Sequence, residues 1–289
     1  MRASLIVNPY ASRVTEERVR LVEERLGAVE TLLTERRGHA TELAASSVGD
    51  AVFVLGGDGV VNEVVNGLPP GRPLGVIAGG HTNVFARAIG APEDPAAAQT
   101  SRRISLGRVN GRRFAFAAGI GVDSEAVREL DTIQRGRDGR RPGDLAYARV
   151  VARRLLSGYE QRLDLEGLGR AALVFVSNHA VFSYAGPVPL RFSPEARFEL
   201  GLDVVAPERL GGAGSQRLAV RVAAGRGLAG QPGVLSAHDA DVIRVRCDEP
   251  LPLQADGEDL GDVTEAVFEA ERDAVSVLVA AGDELPSPP

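Results

Sequence analysis

Residues Val54–Leu68 read VLGGDGVVNEVVNGL, an apolar run that opens into three glycines set around one carboxylate, Asp58. Glycines leave backbone N–H groups bare to a ligand, and the helix predicted from about Val60 turns its positive end toward the same turn. That combination suits phosphate. A carboxylate beside phosphate makes sense if a divalent cation, or the water around one, accompanies it; Mg²⁺ is usually held by one or two carboxylates together with phosphate oxygens. The plain alternative is a tight turn with a solvated Asp. A second glycine turn, GGHTN at Gly79–Asn83, follows the next apolar run and favours the phosphate reading. A third segment, LQADGEDLG at Leu253–Gly261, sets Asp256 and Glu258 around Gly257. Exposed turns of this composition are common, and the plain reading is a hairpin tip. Two residues apart in an extended stretch, Asp256 and Glu258 would point the same way, but Gly257 can break that alternation.

The elements that must carry these residues follow from periodicity. ASLIVN, DAVFVLG and PLGVIAG are short continuous apolar runs, as expected for strands covered on both faces, and VETLLTE is a fourth. Between them TEERVRLVEERLG has Val19, Leu21, Val22 and Leu26 at helical spacing and ends at Gly27, while GHATELAAS and VVNEVVNGL are further helices. Alternating strand and helix predict a mostly parallel sheet with helices on both faces, whose ligands sit beyond the carboxyl ends of the strands. Both glycine turns fall there. After APEDPAAA the pattern changes. ISLGRVNGRRFAFAAG predicts a hairpin with Asn110-Gly111 in its turn. Helices are expected around Asp123–Arg128 and Asp144–Leu156. The segments AALVFVSN, LDVVAP, RLAVRVAA, DVIRVRC, EAVFEA and AVSVLVAA then predict strands of an antiparallel sandwich.

Composition removes several function classes. The chain has 289 residues, 44% hydrophobic and 25% charged, the profile of soluble globular domains. A formal charge of −6 argues against a dedicated nucleic-acid binder. All 33 basic residues are arginine, so a P-loop lysine and Schiff-base chemistry are both excluded. The lone Cys247 rules out an internal disulfide, fits a reducing cytoplasm and reads as a small core side chain. MRASLIVNPYAS is too short an apolar run for a signal peptide, and no run has the length of a membrane span. GRGLAG at Gly225–Gly230 has dinucleotide-loop spacing, but Pro232 and Gly233 follow where a helix should run, so it reads as a loop. His238, Asp239 and Asp241 imitate metal-ligand spacing and read instead as a solvated strand entry. His39, His81 and His179 are scattered and form no Ser-His-Asp pattern. Seven arginines and two acids between Arg135 and Arg154 are either a solvated face or a patch for anionic lipid or phosphate.

In chain order, VNPYAS, VLGGDGVVNEVVNGL, IAGGHTNVFARAIG, FAAGIGVDSEA and LQADGEDLG resemble the diacylglycerol kinase catalytic-domain family of soluble lipid kinases, which includes sphingosine kinases and bacterial lipid kinases. The likeness runs over nearly the whole chain. It implies an α/β, phosphofructokinase-like nucleotide domain over residues 1–104, completed by a C-terminal strand at 273–281. It also implies a β-sandwich lipid-substrate domain over 105–272, ATP in the cleft between, and a disordered tail at 283–289. Carried over by position, Asn8, Pro9 and Ser12 of the first turn and Thr34 would touch ATP. So would Gly56, Gly57, Asp58, Gly59, Asn62 and Glu63, and Gly80, His81, Thr82 and Asn83 of the second loop. Asp58 and Asp123 would serve Mg²⁺; Glu258 would be the catalytic base, with Asp256 the other candidate.

The implied activity is ATP-dependent phosphorylation of a lipid hydroxyl, diacylglycerol to phosphatidic acid. The lipid would be met at a membrane surface by a cytoplasmic protein peripheral to the inner face, with no nucleic acid and with a homodimer admitted. Alternatives are a sphingosine or other lipid kinase, an NAD-kinase-like enzyme, and a nucleotide-binding protein without catalysis. Three departures bear on these. Val60 stands for the usual Thr. Ala78, Gly79, His81 and Val84 replace the Pro, bulky, Thr and Asp positions of the second loop, and Leu200-Gly201 replaces an Asp-Gly pair tied to a structural Mg²⁺.

Overall fold

A computed structural model describes residues 2–27, 29–121, 124–125, 128–129 and 162–281. Asp123 and half of the helix expected at Asp123–Arg128, the helix expected at Asp144–Leu156, the arginine-rich stretch and the 283–289 tail lie outside the described residues. The chain divides into two compact units, Met1–Leu106 with Arg272–Pro289, and Gly107–Glu271.

In the first unit, strands β1 (Ala3–Val7), β2 (Val29–Leu33), β3 (Ala51–Gly56) and β4 (Leu74–Ala78) pair in parallel in the order β2-β1-β3-β4. β1 and β3 are buried along their whole length, which is why they read as unbroken apolar runs rather than alternating ones. Parallel neighbours need crossovers, supplied by α1 (Glu16–Leu26), α2 (His39–Ser46) and α3 (Asp58–Gly67); a short α4 (Val84–Ala88) follows β4. α1 starts at Thr15, whose hydroxyl accepts the Arg18 N–H at 3.2 Å, and stops at Gly27 with φ 78°. Leu5, Phe53, Leu55 and Ile77 form the core with Val22 of α1.

The second unit is antiparallel. β7 (Ala117–Ile120), β10 (Val174–Ser177), β13 (Leu202–Pro207), β14 (Val234–Ala240), β15 (Val242–Ala255) and the early part of β16 (Glu258–Val279) follow the order β14-β13-β10-β7-β15-β16. β5 (Thr100–Val109) and β6 (Arg112–Phe114) form the hairpin predicted at Asn110-Gly111, whose φ values are 46° and 88°. β8 (Leu163–Leu165) pairs with β9 (Gly169–Ala171), and β11 (Ser183–Ala185) with β12 (Val188–Leu190). Phe114, Val174, Val204, Val245 and Phe268 share one core.

Two expectations are corrected. RLAVRVAA is not a strand but part of helix α5 (Gly212–Ala223). Leu218, Val220 and Val222 would share one face of a strand, yet Val222 is buried and Val220 is 68% exposed, so the face that packs is the helical one. EAVFEA and AVSVLVAA are not separate strands but consecutive stretches of β16.

α3 is pressed closely against α2. A Cβ on Gly67 would stand 2.0 Å from the Thr41 carbonyl oxygen, and the Thr41 hydroxyl donates to the Glu63 carbonyl at 2.8 Å. Alanine is the better helix former by about 1 kcal/mol, but overpacking costs about 1–3 kcal/mol. Gly67→Ala is therefore expected to lower the urea midpoint. A raised midpoint would show that α2 yields without cost.

Candidate functional site

The parallel register carries the first unit's candidate residues to one edge. Val7 pairs with both Leu33 and Leu55, and Gly56 pairs with Ala78, so four strands end level with one another. Asn8, Thr34, Gly57 and Gly79 are the residues that follow those ends, which is where an open parallel sheet presents a ligand site.

The loops there are held together by backbone. Gly79 N–H donates to the Gly56 carbonyl at 2.7 Å, and Arg13 N–H donates to the Gly79 carbonyl at 2.9 Å. A Cβ on Gly80 would stand 2.6 Å from Gly57 Cα, and one on Gly79 would stand 2.9 Å from Gly56 N and Cα. No other residue fits at these positions without moving backbone. Arg18 closes the edge by donating to the Ala78 and Arg13 carbonyls at 2.7 and 2.9 Å. The Asn8 side chain accepts the Tyr10 N–H at 3.0 Å, shaping the first turn, while Pro9 and Ser12 are exposed.

Asp58 is the first residue of α3, and its Oδ1 accepts the Phe85 N–H of α4 at 2.9 Å. The carboxylate thus links the two glycine turns. The donor set fits a magnesium-bound phosphate. Gly57 and Gly59 leave the opening turn of α3 without side chains, where N–H groups have no intrahelical acceptor, and a carboxylate stands at the same place. His81 is exposed and Thr82 half-buried in the second loop.

Three of the residues given to ATP by the resemblance have their polar groups engaged elsewhere. Glu63 is buried, and its two oxygens accept from Gly38 N at 2.9 Å and Ala40 N at 3.1 Å, capping α2 from outside. Asn83, at φ 50°, accepts from Gly80 N and donates to Gly80 O, both at 2.8 Å, which holds the second loop shut. Asn62 is buried and bonded to the Asn66 side chain at 3.2 Å. Nothing in the spacing of these residues distinguishes a side chain that supports a loop from one that touches a ligand.

In the second unit the two candidate bases separate. Asp256 and Gly257 are the turn between β15 and β16, with φ 48° and 77°, and Ala255 pairs with Glu258 across it. The left-handed turn breaks the extended alternation. The Asp256 carboxylate accepts three backbone N–H groups, from Ala115 at 2.6 Å, Phe116 at 3.0 Å and Ala117 at 3.1 Å. Those donors hold the anion in a structural role. Glu258 has one oxygen, Oε2, held by Arg112 Nη2 at 2.5 Å, and among the described residues its other oxygen has no hydrogen bond. An oriented carboxylate with a free oxygen is what a general base requires. Both residues are buried, unlike an ordinary hairpin tip.

Sequence reasoning missed Arg112 because it lies in the β5–β6 hairpin, far from Glu258 in the chain. It also missed Arg128, which binds Asp259 through Nε and Nη2, each at 2.9 Å, and Asp262 through Nη1 at 2.6 Å. Asp123, the second magnesium candidate, lies outside the described residues. In the imitation metal motif, His238 bonds Asp203 at 2.8 Å and Asp239 accepts from Gly201 N at 2.6 Å. Burial pushes the Cys247 thiol up to about 11, so it stays protonated near neutral pH. Removing the Asp256 carboxylate leaves three N–H groups without their acceptor. Hydrogen bonds to a charged group contribute about 1.5–3 kcal/mol each, so Asp256→Ala is expected to cost at least about 3 kcal/mol in urea unfolding. A loss under about 1 kcal/mol would refute the structural role.

Comparison with known proteins places the chain. Residues 2–110 match the family model for the diacylglycerol kinase catalytic domain. A diacylglycerol kinase of Bacillus subtilis (strain 168) is 45% identical over 102 residues, 32% of this chain and 34% of that protein. One from Staphylococcus epidermidis is 38% identical over 130 residues, 39% of this chain and 41% of that protein. The matched stretch thus spans well under half the length of these curated relatives. Among solved structures, a diacylglycerol kinase from Bacillus anthracis str. Sterne superposes with a TM-score of 0.72 at 24% identity, covering 97% of each chain. An NAD kinase from Archaeoglobus fulgidus in complex with ATP gives 0.51 at 14% identity, covering 97% of this chain and 94% of that one. These two likenesses are of fold. The sequence match takes in both glycine turns: residues 2–110 of this chain are similar to the diacylglycerol kinase catalytic domain.

Proposed function

We propose that the chain is a lipid kinase that transfers the γ-phosphoryl group of ATP to a lipid hydroxyl, with diacylglycerol as acceptor and phosphatidic acid as product, at a membrane surface. The observation that carries this reading is the family match over residues 2–110, which contains both glycine turns and Asp58. In this reading the backbone amides at the start of α3 take phosphate oxygens, and Asp58 acts on Mg²⁺ directly or through water. Magnesium would neutralise the charge that develops on the transferring phosphoryl group. Asp123 joins it by the resemblance alone. Glu258 accepts the proton of the lipid hydroxyl, its orientation set by Arg112.

Labelled ATP offered with diacylglycerol, monoacylglycerol, sphingosine or ceramide tests the activity. Label in diacylglycerol is expected; label only in NAD, offered alongside, would convert the reading to an NAD kinase, and no labelled acceptor would leave a nucleotide-binding protein without catalysis. Asp58→Asn retains an oxygen for the Phe85 N–H while removing the charge, so magnesium-dependent ATP binding in calorimetry is expected to weaken strongly with the fold retained. Unchanged binding would remove the assigned role. Glu258→Gln is expected to lower kcat by about 10²–10⁴ with ATP affinity near the parent's. A change confined to KM for ATP would place this carboxylate on the nucleotide instead.

A further inference from the structure

Arg191 lies in the second unit, just after β12, and is 8% exposed. Its backbone is anchored on both sides. Its own N–H donates to the Val222 carbonyl of α5 at 3.4 Å, Phe182 N–H donates to Leu190 O at 3.0 Å, and Leu228 N–H donates to Phe192 O at 2.9 Å. The guanidinium is treated differently. Among the described residues neither Nε nor Nη2 meets a hydrogen-bond partner, and no carboxylate pairs with the group. Two residues along, Ser193 is 3% exposed and its hydroxyl is also without a partner. Arginine keeps its charge at every accessible pH, so this cation cannot escape burial by losing a proton. A buried guanidinium without an anion is among the costliest arrangements a fold can hold.

The surroundings intensify the demand. Phe175 stacks on Phe192 with centroids 3.9 Å apart and meets Phe182 edge-on at 5.0 Å, so aromatic rings border the segment. His179 supplies no counter-charge. Burial, with the Arg191 charge acting in the same direction, pushes its ring down to about 4, and its Nδ1 accepts the Val181 N–H at 3.2 Å. The glycines of GRGLAG, which have dinucleotide-loop spacing, serve this place instead. A Cβ on Gly225 would stand 2.9 Å from Arg191 Nη1, and one on Gly227 would stand 2.2 Å from Pro194 Cδ and 2.9 Å from the Phe192 carbonyl. The turn closes on the Arg191–Pro194 segment while keeping side chains away from the guanidinium.

We propose that Arg191 and Ser193 form an anion subsite for a phosphoryl group within the second unit. Nε–H and Nη2–H lie on the same edge of the guanidinium, the fork that takes two oxygens of one oxyanion. A carboxylate would be satisfied by the fork alone. The Ser193 hydroxyl adds a third donor, which a tetrahedral phosphoryl group meets with a third oxygen. The source is either free phosphate or the headgroup of an acidic phospholipid.

The test reads Arg191 itself and does not depend on the kinase reading. In protein labelled with ¹⁵N at arginine Nε, the Arg191 signal is identified by its loss in Arg191→Lys, or by through-bond assignment should that variant not fold. Inorganic phosphate and dihexanoyl phosphatidate are titrated separately, without ATP. The Arg191 signal is expected to move and saturate. Movement with phosphate alone identifies the free ion, movement with phosphatidate alone the headgroup, and movement with both a shared subsite. Ser193→Ala is expected to raise the Kd about tenfold, the scale of one hydrogen bond to a charged group. A signal stationary under both probes overturns the subsite and leaves water on the orphan donors. An unchanged Kd in Ser193→Ala overturns the part given to the hydroxyl.

Discussion

The first unit depends on two glycine turns meeting backbone to backbone. With Gly79 N–H on the Gly56 carbonyl, and Gly80 too close to Gly57 to carry a side chain, the ends of β3 and β4 are locked together. Everything at that edge inherits its position from this contact. Asp58 reaches Phe85 only because α3 and α4 start beside one another, and the first turn is tied in through Arg13 to Gly79. Glycine is the residue that allows such an approach, at an entropic cost.

Carboxylates that look alike in the sequence are divided by what their oxygens meet. Glu63 and Asp256 are committed to backbone N–H groups, one capping α2 and the other gathering the amides of Ala115 to Ala117. Asp58 links two loops, and Glu258 is oriented by an arginine with an oxygen left over. Buried polar groups must be satisfied, so the first claim on a buried acid is structural, and a chemical role goes to the one whose bonding is incomplete.

The parallel half of the fold was legible because its signals are local: unbroken apolar strands, capped helices and glycine turns at the strand ends. The Asn110-Gly111 turn was legible for the same reason. RLAVRVAA failed because alternation over a few residues fits both periods, and only packing shows that Val220 faces out while Val222 faces in. The roles of Glu63, Asp256 and Arg112 were illegible because each depends on a partner distant in the chain. The place of Asp58 at a glycine turn could be read from its neighbours; the bonding of Glu258 depends on Arg112, which no spacing rule supplies.

The absence of lysine has a structural consequence as well as a chemical one. Among the described residues the buried and half-buried arginines are planar forks suited to binding two oxygens at once. Arg128 grips Asp259 in that way, and Arg113 and Arg108 converge on Glu271, whose carboxyl they hold below its usual range although burial pushes it up. Arg112 holds one oxygen of Glu258. A lysine in these places could shed its proton when its partner is lost; an arginine cannot. The acids facing these forks are therefore matched closely to them, whereas among the described residues the buried fork at Arg191 faces no acid.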